Sequence, residues 1–212
     1  MGWLVLVGAI SGLNYLANYA VATSSSDKAS VLYSYSNAVG GAVIYAIMLA
    51  IVLWIVHGRA DLLALRQPEF WLKAIGLAVL VFAAAMIANA LMDPFLHAGR
   101  EQGVVPKHWM PRHAGAYAAN WVVVAGVAPL VEELTYRGAG FSLLSDAWGR
   151  TAAIFGVGIL FALSHGLLQA LPELATLGCG LAWLRSRTKS VYPGMLVHSV
   201  FNSVALASVF WH

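Results

Sequence analysis

The chain has 212 residues, 60% of them hydrophobic and only 10% charged, with a mean hydropathy of +0.76. A soluble domain carries about 25% charged residues, so this composition excludes an ordinary soluble protein and puts most of the chain inside a bilayer. The net charge of +3 comes without a basic stripe interleaved with aromatics, which excludes nucleic acid as a partner, and the single Cys179 excludes an internal disulfide.

A membrane span needs roughly 20 apolar residues. In chain order, runs at 3–22, 38–56, 71–92 and 114–134, the last with room to continue to 144, meet or approach that length. Shorter runs follow at 151–168, 171–184 and 193–211. The fold class this predicts is an all-α, polytopic transmembrane bundle with about seven spans (six to eight). The first run has no basic segment before it and is too long for a signal peptide core, so it reads as a retained helix. Trp and Tyr, eight of each, suit the two interfacial belts, and the 20 glycines suit close helix packing in lipid.

The connections carry the charge. With seven spans, one side holds Arg59, Arg66, Lys73, Arg150, Arg185, Arg187 and Lys189, and the other holds Lys28, Arg100, Lys107 and Arg112. The positive-inside rule makes the first side cytoplasmic, with the N-terminus in and the C-terminus out. His97, His108 and His113 fall in the loop 93–113 and read as interfacial residues.

Three polar groupings interrupt the apolar runs. Glu132, Glu133 and Arg137 lie together at the end of the fourth. Glu133 and Arg137 are one turn apart on one face, placed to pair, while Glu132 points about 100° away and has no partner in the local sequence. A carboxylate in such a position marks a functional site and suits a general base. Pro129, just before, predicts a kink that frees a backbone carbonyl. The fifth run carries Phe161 and, one turn on, His165; the seventh carries His198 and, one turn on, Asn202. A neutral imidazole serves equally for proton transfer or metal binding, and a His–Asn pair on one face can donate to a developing oxyanion. At 1.5 Å per residue from a common cytoplasmic plane, His165 lies about 21 Å deep and His198 about 8 Å. Glu132 lies about 9 Å deep if its helix stops at 138, or about 20 Å if it continues to 145. These depths do not converge.

Taken in order, Glu132-Glu133…Arg137, Phe161…His165 and His198…Asn202 resemble the three motifs of the CPBP family, the type 2 CAAX prenyl endopeptidases and their bacterial relatives. The resemblance covers 115–210; the helices of 1–93 carry no motif, and the whole of 1–212 reads as a single membrane domain. It implies an intramembrane endopeptidase of the glutamic type in a bacterial plasma (inner) membrane, acting on a membrane-bound or lipidated peptide or protein. In that reading Glu132 and His165 activate water, His198 and Asn202 form the oxyanion hole, Glu133, Arg137 and Phe161 support the site, and no cofactor is needed. An alternative reading of the same family makes Glu132, His165 and His198 ligands of a catalytic zinc. A further alternative is a non-catalytic immunity or adaptor protein of the same fold.

Overall fold

The computed structural model describes residues 2–22, 28–98, 101, 105–106 and 108–210. Arg100, Lys107, His212 and part of the Ser-rich first loop lie outside them. Among the described residues there are seven helices and no strand: α1 Gly2–Ala22, α2 Tyr35–Ile55, α3 Trp71–Leu96, α4 Pro111–Trp148, α5 Arg150–Leu163, α6 Leu171–Thr188 and α7 Tyr192–Ala207. Four helical runs, Tyr35–Ile55, Trp71–Leu96, Pro111–Trp148 and Tyr192–Phe210, are long and apolar enough to cross a membrane. The chain is an integral membrane protein built as a helical bundle. Helices α2 and α3 are apolar on every side and turn Ile44, Ile47, Trp54, Leu80, Ile87 and Leu91 outward, as spans facing lipid do.

α4 is longer than its apolar run of 114–134. It continues through the glutamates to Trp148 and contains two π-helical stretches, Val123–Val127 and Leu134–Gly140. π-bulges of this kind recur at functional sites. α5 is shorter than its run of 151–168. It stops at Leu163 because Gly166, at φ +69°, turns the chain. α6, the least apolar of the seven, lies inside the bundle with Leu177, Leu181, Ala182 and Leu184 buried. Its crossing with α5 is made backbone to backbone. A Cβ on Gly178 would stand 2.6 Å from Gly158 O, and one on Gly158 would stand 2.6 Å from Cys179 N. Small residues permit such approaches between membrane helices.

The depth mismatch has a specific cause. The turn from α6 to α7 does not lie at the level where α4 ends. Ser190 and Val191 are fully buried, and Val191 N–H donates to Ala64 O at 3.4 Å. Leu63, beside Ala64, packs on Gly138, where a Cβ would sit 3.0 Å from Leu63 O. Arg185 Nε donates to Arg137 O at 3.1 Å. α7 therefore starts level with Gly138, ten residues (about 15 Å) before the end of α4. His198 and Glu132 each lie six residues from that shared level, about 9 Å, and so they meet.

Candidate active site

Arg137 organises the interior. Its side chain and that of Glu133 are both fully buried, with Nη1 donating to Glu133 Oε1 at 2.9 Å across one turn of α4. Nη2 donates to Gly178 O at 3.0 Å, a carbonyl brought into reach by the α5–α6 glycine contact. The guanidinium lies 4.3 Å from the centroid of the Phe161 ring, a cation–π contact. Carboxylate, carbonyl and ring thus hold one cation from three helices.

Phe161 is fully buried and is the common neighbour of both histidines. Its ring meets His165 edge-on at 4.7 Å and His198 at 5.6 Å. His165 follows the end of α5, and its Nδ1 lies 2.8 Å from Phe161 O. A carbonyl oxygen only accepts, so Nδ1 carries the proton and Nε2 is left as an acceptor. Two asparagines of α1 hold this turn. Asn14 Nδ2 donates to Ser164 O at 2.7 Å, and Asn18 Nδ2 donates to His165 O at 3.2 Å and Gly166 O at 3.1 Å. They supply donors that the last carbonyls of a helix lack. A side chain on Gly166 would collide with Asn14 and Tyr15 backbone, its Cβ 2.7 Å from Asn14 C.

His198, from α7, is buried between the two glutamates. Its Nδ1 lies 3.2 Å from Glu133 Oε1 and its Nε2 3.7 Å from Glu132 Oε2. The first contact puts a proton on Nδ1, because the Arg137-paired carboxylate only accepts. Gly194, one turn before His198, lets Glu133 reach this place; a Cβ there would stand 2.6 Å from Glu133 Oε2. Glu132 is 9% exposed, and its Oε1 accepts the Tyr45 hydroxyl at 2.7 Å. Glu132 thus has a partner that the local sequence hid. The only sequence signal for Tyr45 is a hydroxyl in the middle of an apolar span, which needs a partner once buried.

Asn202 lies one turn beyond His198, with Nδ2 donating to Val124 O at 2.8 Å. Glu132 and His165, expected to activate water together, share no direct hydrogen bond or ion pair among the described residues; the imidazole beside Glu132 is His198. His165 is instead tied to its own helix end and to the Phe161 ring. For the zinc alternative, three protein ligands are required, and no group of three His, Cys, Asp or Glu side chains among the described residues is placed to hold a metal ion. The donor set does not fit that centre.

The arrangement gathers a buried carboxylate, an imidazole against it, a second imidazole with a fixed tautomer and a side-chain amide, all walled by apolar helices. Residues 114–204 match the family model described as Type II CAAX prenyl endopeptidase Rce1-like, the family that the three motifs resemble. No curated protein and no solved structure matches the chain.

Proposed function

Taking the segment 114–204 as Rce1-like, we propose that this protein is an intramembrane endopeptidase of the glutamic type, with a membrane-inserted or lipidated peptide as substrate. The observation that carries the proposal is the setting of Glu132: a buried carboxylate with the Tyr45 hydroxyl on one oxygen and His198 Nε2 facing the other. Glu132 Oε2 takes a proton from water, and His165 Nε2 accepts the hydrogen bond of the second O–H. The hydroxide attacks the peptide carbonyl carbon. His198, carrying a proton on both ring nitrogens from the start of the cycle to its end, and the second N–H of the Asn202 amide donate to the oxyanion, in the manner of preorganised donors in a water-poor site. The imidazolium is supported by Glu133 on Nδ1. Collapse of the tetrahedral intermediate breaks the C–N bond, and Glu132 returns its proton to the leaving amine. Arg137 holds the Glu133 side chain in place through the 2.9 Å contact of Nη1 with Oε1. No step is routed through a metal.

The walls support the substrate class. Polar groups are concentrated at the centre of an apolar bundle, so a substrate must enter from the lipid or along a helix surface. The test is Glu132→Gln in detergent-purified protein, offered a farnesylated CAAX-type peptide and, separately, an unmodified membrane-inserted peptide. General acid–base groups contribute about 10²–10⁴-fold, so cleavage should fall at least that far while the melting temperature stays close to the parent's. A folded Glu132→Gln protein that cleaves at the parental rate would leave the non-catalytic reading of the fold as the better one.

A further inference from the structure

A second polar concentration lies away from the glutamates, at the end that the lysine and arginine distribution assigns to the cytoplasm. Between the start of α3 and the end of α6 is a cavity of about 230 Å³ lined by Arg66, Lys73, Arg187 and Lys189, with Glu69 as its one carboxylate. Among the described residues no ion pair joins any of the four cations to an acid. Like charges around one cavity repel, and a cleft lined by one sign of charge attracts a ligand of the opposite sign.

The cluster is built rather than incidental. Arg66 Nε donates to Lys189 O at 2.7 Å. Lys189 itself is set in the left-handed conformation, φ +56°, by the C-cap bond from its N–H to Arg185 O at 2.9 Å. Arg187 is laid against the Trp183 ring, 5.4 Å from its centroid. α3 begins with no side-chain cap and no acidic residue in its first turn, so its positive end adds to the same field. Beside the cavity, Phe70 and Leu72 are 64% and 86% exposed, at the first residues of a membrane-spanning helix. That is the level at which headgroups meet acyl chains.

We infer that this cavity is a binding site for the phosphate of an anionic phospholipid headgroup, with Phe70 and Leu72 against its acyl chains. Basic pockets between membrane helices on the cytoplasmic side take such headgroups. The site stands independently of the catalytic proposal, since none of its residues contacts the glutamate cluster.

The test uses the full chain in a neutral detergent, titrated with short-chain phosphatidylglycerol, short-chain phosphatidylcholine or inorganic phosphate. Lipid retention by native mass spectrometry and the shift in melting temperature are the readouts. Phosphatidylglycerol should bind saturably and raise the melting temperature, phosphatidylcholine should not, and inorganic phosphate at equal concentration should not displace the lipid. Each surface cation contributes on the order of 1 kcal/mol to such binding, so Lys73→Gln with Arg187→Gln should weaken it roughly 30-fold. Equal binding of both lipids, or an unchanged affinity in the double variant, would overturn the inference. Inorganic phosphate that binds alone and competes fully would assign the pocket to the free anion and overturn the lipid source.

Discussion

Asn202 supplies to Val124 the hydrogen bond that Pro129 cannot. In the first π-helical stretch of α4, Ala128 N–H donates to Val123 O, five residues back. The next donor in that register would be residue 129, and proline has none. The carbonyl at that place, Val124 O, is met instead by Asn202 Nδ2 at 2.8 Å. The break in α4 and the last motif residue of α7 are two halves of one feature.

Replacing Asn202 by Ala should therefore do two separable things. It leaves the Val124 carbonyl without its donor, a cost of about 1–3 kcal/mol, and it removes an oxyanion donor, typically worth ~100–1000-fold in turnover. Adding Pro129→Ala returns an N–H to α4 and should recover melting temperature without recovering turnover. Full recovery of both would reduce Asn202 to a structural anchor.

Tyr45→Phe removes the hydroxyl on Glu132 and little else. A hydrogen bond to a charged group is worth about 1.5–3 kcal/mol. If the bond holds the carboxylate in its productive orientation along the reaction, kcat should fall roughly 10–100-fold with KM little changed. An unaltered kcat would place Tyr45 among packing residues.

Arg137→Ala strips the buried Glu133 of its guanidinium and leaves it only His198 Nδ1; breaking a buried ion pair in this way costs on the order of 3–5 kcal/mol in proteins. Yield and melting temperature should both drop. Arg137→Lys should rescue little, because a single ammonium lacks the planar fork that spans Glu133 Oε1 and Gly178 O. A stable but inactive Arg137→Ala protein would move Arg137 into direct chemistry.

Elemental analysis of purified protein before and after chelation decides the metal question. The expected outcome is cleavage that survives chelation, with zinc well below one atom per chain. Stoichiometric zinc lost together with activity in His165→Ala would replace the glutamate mechanism by metal-assisted hydrolysis.

The helices and the three motifs were legible because both signals are local. Apolar runs mark the spans, and Glu133–Arg137, Phe161–His165 and His198–Asn202 each declare themselves by one-turn spacing within a single helix. Pro129 even announced a freed carbonyl, though not that an amide 78 residues away receives it. What stayed hidden depends on distant pairs. Tyr45 is 87 residues from Glu132 and Asn14 is 150 from Ser164, and the local pattern of α1 and α2 names neither partner. The depth conflict arose from assuming that every helix starts at one plane. Only the buried turn at Ser190 and Val191, bonded to Ala64 beside the Leu63 that packs on Gly138, reveals that α4 and α5 extend past the others.

The contacts of α1 and α2 bear on modularity. Trp3 Nε1 donates to Thr135 O at 2.8 Å within the second π-helical stretch. Asn14 and Asn18 fasten the His165 turn, and Tyr45 holds Glu132. All four residues lie before 114, outside the segment that carries the family's signature. That segment is consequently not a portable unit. Expressed alone or grafted onto unrelated helices, it would keep every motif and lose the outer groups that aim its carboxylate and its imidazole. The motif-free helices can drift in sequence at most of their lipid-facing positions, but at these four they are bound to the chemistry as tightly as the motifs themselves.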